Sequence, residues 1–137
     1  MARAEDIEQE IVIRWAQLSS GKWPQLQLLH HIPNGGNRDT IEAAKLKRLG
    51  VLAGVPDLHL PVARAGYCSL YIEMKAKGGK LSKAQKDFLE AAAAERNCCA
   101  VCYSAEDAID VINRYMRNRP IGNLMILSGG KEIGTVR

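Results

Sequence analysis

Residues 54–85 read GVPDLHLPVARAGYCSLYIEMKAKGGKLSKAQ, a pattern that predicts a β-hairpin followed by a helix. Two segments rich in β-branched, leucine and aromatic residues, Leu58–Val62 and Tyr67–Lys75, flank a short turn that contains a glycine. Ser82 stands where a helix N-cap is expected, ahead of a helix from Lys83 to about Arg96. The stretch therefore predicts two antiparallel strands and a helix that packs on them.

Helices and strands alternate in the rest of the chain. We expect the first helix to bury the apolar side chains that share one of its faces, Ile7, Ile11, Trp15 and Leu18. The order of elements favours an α/β fold, a mixed β-sheet flanked by helices. The predicted helices span about Ala4–Leu18, Ile41–Leu49 and Ala105–Arg117, and the further strands lie in the apolar runs Leu26–Ile32 and Cys98–Tyr103.

The length of 137 residues fits one domain. We assign residues 1–118 to this domain and residues 119–137 to a C-terminal tail that forms either an edge strand or a dimer contact. No apolar run approaches the roughly 18 residues that cross a bilayer, and the N-terminus lacks a signal-peptide pattern, so we expect a cytoplasmic protein without a membrane partner. The four cysteines then predict free thiols, neither disulfides nor zinc ligands.

The hairpin brings two acids together. If its turn centres on Ala65, facing residues have numbers that sum to about 130, which sets Asp57 opposite Glu73. Facing Cβ atoms in such a pair lie roughly 5 Å apart. Two carboxylates so close repel each other unless a cation lies between them, and a hard divalent ion prefers oxygen ligands. This pattern predicts a metal site.

Lysines surround the two acids. Strand alternation places Lys75 on the same face as Glu73, where its ammonium can stabilise charge on a phosphate undergoing attack. Gln85, in the first turn of the following helix, faces back toward the hairpin and is a further candidate catalytic residue. The net charge of +4 permits a polyanionic partner. The candidate phosphate contacts are Lys77, Lys80, Lys83 and Lys86.

Three sequence blocks, in order, resemble the VRR-NUC (virus-type replication-repair nuclease) family of the PD-(D/E)xK nuclease superfamily. They are Gly54–Leu58 (GVPDL), Tyr71–Lys75 (YIEMK) and Gly79–Gln85 (GKLSKAQ). The resemblance extends over roughly Glu5 to Met116 and includes the loop Ile32–Gly36 (IPNGG).

This resemblance implies a Mg²⁺- or Mn²⁺-dependent nuclease that acts on branched DNA, as Holliday-junction resolvases do, and that forms a homodimer. Asp57, Glu73 and the Met74 backbone carbonyl would be metal ligands, and Lys75 the catalytic lysine. The family also places a glutamate of the first helix near the metal. Glu5 fits that role, with Glu8 as the alternative, and Asn34 would contact DNA.

Other interpretations stay open on the sequence. The acids and Lys75 would form an exposed salt bridge worth about 0–1 kcal/mol if the strand were simply solvated. The lysines would then be a solvated face, and Gln85 a helix-surface residue. At the level of function, the alternatives are a module that binds DNA without cleaving it and a restriction-type nuclease.

Overall fold

A mixed β-sheet organises the chain, of which the computed structural model describes residues 3–33, 39–120, 124–128 and 131–135, the last two ranges as backbone only. The helices in these ranges are α1 (Ala4–Leu18), α2 (Thr40–Arg48), α3 (Lys83–Ala94) and α4 (Ala105–Met116). The strands are β1 (His30–His31), β2 (Leu58–Leu60), β3 (Leu70–Met74), β4 (Cys98–Cys102), β5 (Leu124–Ser128) and β6 (Lys131–Thr135).

The strands of the described ranges lie in sequence order across the sheet. Strand β2 pairs antiparallel with both β1 and β3. Strand β4 pairs parallel with both β3 and β5, and β6 pairs antiparallel with β5. The prediction of an α/β fold with a mixed sheet is confirmed. In the segment 119–137, β5 lies beside β4 and β6 at the edge, and the proposed boundary at residue 118 stays a prediction.

The register of the hairpin agrees with the prediction. Leu58 faces Ile72 and Leu60 faces Leu70, so facing numbers sum to 130. Both strands are shorter than predicted. Pro61 ends β2, because proline has no N–H to donate to the ladder.

Each face of the sheet is covered by different helices. Leu70, Ile72 and Met74 of β3 point toward α1 and α4 and belong to the main core, which also holds the buried Ile112 and Tyr115 of α4. The opposite face carries a smaller apolar cluster of Leu89, Cys99 and Val101 under α3. The predicted alternation of β3 between a core face and a site face is therefore confirmed.

The predicted buried face of α1 was wrong for three of its four residues, and only Trp15 packs against the main core. Ile7, Ile11 and Leu18 are 51%, 47% and 81% exposed, whereas Val12 and Ala16 are buried. Two apolar stripes run along this helix, and the packed one also carries Glu5 and Glu8 at its N-terminal end. Glu5 and Glu8 reach the end of the sheet, while Val12 and Ala16 fill the core. The helix is therefore rotated about its own axis, by about one residue position relative to the prediction.

The segment after α1 also differs from the prediction. Part of the expected strand Leu26–Ile32 belongs to a 3-10 helix, Pro24–Leu28, which buries Leu26. Only His30 and His31 pair with β2. Farther along, Asp39 caps α2 by accepting a hydrogen bond from the Glu42 N–H (2.8 Å).

Candidate active site

Asp57 is held against β3 at the end of the hairpin. The ladder between β2 and β3 ends at the pair Leu58 and Ile72, so the next N–H on that edge of β3, that of Met74, has no strand partner. The Asp57 Oδ2 atom accepts this N–H at 2.8 Å. The aspartate therefore takes the place of a missing strand residue, which fixes its carboxylate beside the site face of β3.

Gly54 sets the approach of this loop to α3. Its φ is +89°, and an added Cβ would collide with the backbone carbonyl of Ala84 in the first turn of α3. Glycine has no Cβ and adopts this φ without strain. The close contact holds the loop that carries Asp57 against the helix that carries Gln85.

Glu73 is the most buried charged group of the site. It is 4% exposed, and its Oε2 atom lies 3.0 Å from Gln85 Nε2 and 3.6 Å from Lys75 Nζ. Burial, and next the negative charge of Asp57, raise the pKa of Glu73 to about 8. The pKa of Asp57 is also raised by burial, although the hydrogen bond from Met74 offsets part of that effect. Both carboxyl groups therefore favour the protonated form more than a free acid does, because two adjacent negative charges are disfavoured here without a cation.

This donor set fits a magnesium-type ion. The carboxylates of the buried Glu73 and the partly buried Asp57 are neighbours, and a divalent cation would relieve the repulsion between them. Mg²⁺ is commonly bound by one or two carboxylates, with waters and substrate phosphates completing its shell. Within residues 3–33 and 39–120, no three His, Cys, Asp or Glu side chains form a ready-made metal cluster. The acid pair is thus the centre of the site.

Lys75 lies beside the two acids, as predicted. Its backbone N–H continues the ladder to Cys102 O of β4 at 2.9 Å, and its side chain is 16% exposed. With the backbone anchored and the stem largely covered, the ammonium is confined to the neighbourhood of Glu73.

Gln85 is engaged on both sides of its amide. Its Oε1 accepts the Ser82 N–H (2.8 Å), and the Ser82 hydroxyl accepts the Gln85 N–H (3.2 Å), which is a capping box. Its Nε2 is left to donate to Glu73. The expected contact of Gln85 with the site is present, and it is a contact with a carboxylate; the catalytic role stays a prediction.

The two glutamates of α1 go to different places. The Glu5 Oε2 atom accepts the Ala76 N–H at 3.3 Å, the next unpaired N–H on the same edge of β3 after Met74. The Glu8 Oε2 atom instead accepts the Ala105 N–H at the start of α4, at 3.2 Å. Alternate residues of a strand are about 6.6 Å apart, so Glu5 lies one such step from Asp57 along the strand edge.

The predicted phosphate contacts belong to the loop after β3 and to the first turn of α3. Lys77, Lys80, Lys83 and Lys86 are exposed. Lys83 forms a 2.7 Å ion pair with Asp87, so part of its charge is already compensated. Asn34 lies outside the described residues.

His31 is a neighbour of the site that the sequence did not predict. Its Nδ1 atom lies 2.8 Å from the Asp57 carbonyl oxygen. The pairing of β1 with β2 creates this contact between residues 26 positions apart, and no local pattern in the sequence announces it.

The cysteines do not form a second site. Cys98 and Cys102 point into the main core and Cys99 into the smaller cluster, so neighbouring thiols face opposite sides of β4. All four cysteines, including Cys68, are free thiols.

In the part of the chain that is described, no helix is long and apolar enough to span a bilayer.

Comparisons with known proteins agree with this geometry. A solved structure described as a VRR-NUC domain protein is 34% identical, covers 88% of this chain and 93% of its own, and superposes with a TM-score of 0.74. No curated protein matches the sequence. The sequence model of the VRR-NUC domain matches residues 2–106, and this chain therefore belongs to the VRR-NUC family, nucleases of the PD-(D/E)xK type.

Proposed function

We propose that this protein is a divalent-metal-dependent endonuclease that hydrolyses phosphodiester bonds in branched DNA during replication or repair. The observation that carries the proposal is the pairing of the buried Glu73 with the partly buried Asp57, with Lys75 Nζ 3.6 Å from Glu73. A purely structural salt bridge would not require a second acid that raises the pKa of the first.

In this proposal, Mg²⁺ or Mn²⁺ is held by Asp57, Glu73 and the Met74 backbone carbonyl, with Glu5 reaching it directly or through water. Such an ion, when bound, lowers the pKa of a bound water and polarises a phosphate. The hydrogen bond to Met74 leaves one oxygen of Asp57 for this purpose. The second oxygen of Glu5 lies 3.6 Å from an Arg3 guanidinium nitrogen, and Glu5 would exchange this ion pair for the metal.

Lys75 supplies the positive charge that the reaction needs on the protein side. Its ammonium, confined beside Glu73, orients the attacking water and stabilises the negative charge that develops on the phosphate oxygens. Gln85 acts on Glu73: its Nε2 hydrogen bond keeps one carboxylate oxygen turned toward α3, so the other is directed to the site.

The surroundings suit a polyanion. Lys77, Lys80 and Lys86 provide exposed cations in the loop after β3 and the first turn of α3, without an ion pair in the described contacts, and Lys83 adds a partly compensated one. Contacts of this kind hold a DNA backbone in register without reading its sequence. We assign Asn34 to the same surface, from the resemblance of its loop.

We propose a homodimer because paired incision of a branched substrate needs two active sites. Helix α2 buries none of its residues, and Ile41, Leu49 and Leu52 in and after it are 84%, 71% and 59% exposed. Light scattering tests this assignment. We expect twice the monomer mass for the wild type and the monomer mass for Ile41→Asp combined with Leu49→Asp.

A cleavage panel tests the proposed activity. Four-way junction, flap, splayed-arm, single-stranded and linear duplex DNA are each incubated with Mg²⁺, Mn²⁺ or Ca²⁺. We expect cleavage of the branched substrates with Mg²⁺ and Mn²⁺, and its loss in Lys75→Ala and Asp57→Asn. Lys22→Ala and Asp110→Asn are the matched controls, since Lys22 contacts Trp23 and Asp110 pairs with Arg114.

Two results would replace the proposal. Salt-sensitive DNA binding without cleavage under any metal would show a binding module. Discrete fragments from plasmid DNA would show a restriction-type enzyme. Undiminished activity in Lys75→Ala would remove the mechanism.

We place the protein in a reducing cytoplasm, which its free thiols suit.

A further inference from the structure

His31 and Asp57 are joined through the backbone carbonyl of Asp57. This oxygen accepts two hydrogen bonds, from the Ile32 N–H (2.8 Å) and from His31 Nδ1 (2.8 Å). A carbonyl oxygen has two lone pairs and accepts only, so His31 Nδ1 must carry the hydrogen.

We propose that His31 is a positioning residue for Asp57, an inference that rests on the function proposed above. The Asp57 carboxylate is held by the Met74 N–H, and its carbonyl is held by β1 and the His31 ring. The residue is thus fixed at both ends, by β3 and by β1. The Asp57 carbonyl keeps the Ile32 N–H when the ring is removed, and a single hydrogen bond contributes about 2–10-fold to an equilibrium constant.

The neighbouring histidine provides a matched comparison. His30 lies in the same two-residue strand, and its Nδ1 also meets a carbonyl oxygen, that of Leu28 at 2.9 Å. Its ring packs edge-on against His59, with centroids 5.3 Å apart. Leu28 has no part in the site, so loss of the His30 contact changes β1 without releasing Asp57.

The two nitrogens of His31 are separable by substitution. The amide nitrogen of asparagine stands as many bonds from Cα as His Nδ1, whereas that of glutamine corresponds to His Nε2. Asparagine therefore restores a donor toward the Asp57 carbonyl, and glutamine restores a group at the outer edge of the ring. Rescue by one and not the other identifies the nitrogen that matters.

The test measures Mn²⁺ binding by calorimetry in the intact protein, together with the Mg²⁺ concentration that half-saturates cleavage. We expect His31→Ala and His31→Gln to weaken Mn²⁺ binding about 2–10-fold. Cleavage at saturating metal should fall much less. His31→Asn should restore binding to the wild-type value, and His30→Ala should bind as wild type does. Circular dichroism confirms that each variant folds.

Nitrogen NMR of the neutral His31 ring gives a second readout that does not depend on any variant. We expect the hydrogen on Nδ1. Wild-type Mn²⁺ affinity in His31→Ala, rescue by glutamine in place of asparagine, or a ring protonated on Nε2 alone would each overturn the proposal. Failure of the proposed function looks different, because the wild-type protein itself would then bind no Mn²⁺.

Discussion

Gln85 Nε2 lies 3.0 Å from Glu73 Oε2 while the other end of the same amide closes the capping box of α3. One side chain therefore connects the start of a helix to a buried acid of the adjacent strand. The cap fixes which way the amide faces, because only its oxygen can accept the Ser82 N–H. Helix formation and orientation of Glu73 are thus linked.

Substitution of Gln85 separates these two roles. Gln85→Glu keeps an acceptor for the Ser82 N–H but presents a second oxygen to Glu73, so we expect a loss of cleavage of at least tenfold with little change in melting temperature. Ser82→Ala removes only a cap, at a cost of about 1 kcal/mol, and should retain cleavage. Gel-based rates and thermal melts check both. Equal losses of activity in the two variants would contradict a role of the Gln85–Glu73 contact that is separate from capping.

The raised pKa of Glu73 makes the metal-free protein less stable as pH rises. Between the ordinary value of 4.5 and about 8, the folded state holds a proton that the unfolded state has lost. Unfolding free energy should therefore fall across this window, by up to roughly 1.4 kcal/mol per pH unit, and level off above it.

Two changes should remove that slope. Glu73→Gln should stabilise the metal-free protein at pH 8 while abolishing cleavage, and Mn²⁺ should stabilise the wild type more at pH 8 than at pH 6. Denaturant titrations at both pH values measure these differences. Glu90→Gln, at an exposed acid of α3, serves as the control. A wild-type slope that persists in Glu73→Gln would assign it to another group.

The two α1 glutamates should give opposite phenotypes. Glu5→Gln is expected to weaken metal-dependent cleavage by tenfold or more, because Glu5 accepts the Ala76 N–H beside the site. Glu8→Gln should leave cleavage near wild type and reduce stability by about 0.5–1 kcal/mol, since Glu8 supports the start of α4. Metal titrations of activity and thermal melts of both variants decide the matter. The reverse pattern would reassign the site residue.

Gly54→Ala should destabilise the protein by about 1–3 kcal/mol through the collision with Ala84, in addition to the strain of its φ. Gly50 isolates the second effect: its φ is +101°, and an added Cβ would meet nothing within 4 Å. Gly50→Ala should therefore cost about 1 kcal/mol. Equal unfolding free energies for the two variants would show that the close approach is unimportant.

The proximity of Asp57, Glu73 and Lys75 could be predicted from the sequence. It required only the two-residue alternation of side chains along a strand and one assumption about the hairpin register. Both rest on local pattern, and β3 obeys them because its other face is buried throughout. The spacing of Ser82 and Gln85 also indicates a capping box, whereas only the N-cap role of Ser82 was predicted.

Other features depended on contacts that no local pattern encodes. Helix α1 has two apolar stripes, and the acids at the end of the packed stripe, not the hydrophobicity of either, reveal its rotation. The choice between Glu5 and Glu8 followed from that rotation. The contact of His31 with Asp57 depends on the pairing of a strand of only two residues. A segment this short has no hydrophobic periodicity from which the strand could be predicted.

Four successive positions of the chain, from Glu73 to Ala76, each deliver one element of the site: a carboxylate, an N–H for Asp57, an ammonium and an N–H for Glu5. Insertion or deletion of a single residue here would move the groups after it to the opposite side of the strand. The surrounding loops can therefore vary in length, whereas the number of residues in this tetrapeptide is fixed, and only Met74 and Ala76, which contribute backbone N–H groups, can be exchanged without loss of a site side chain.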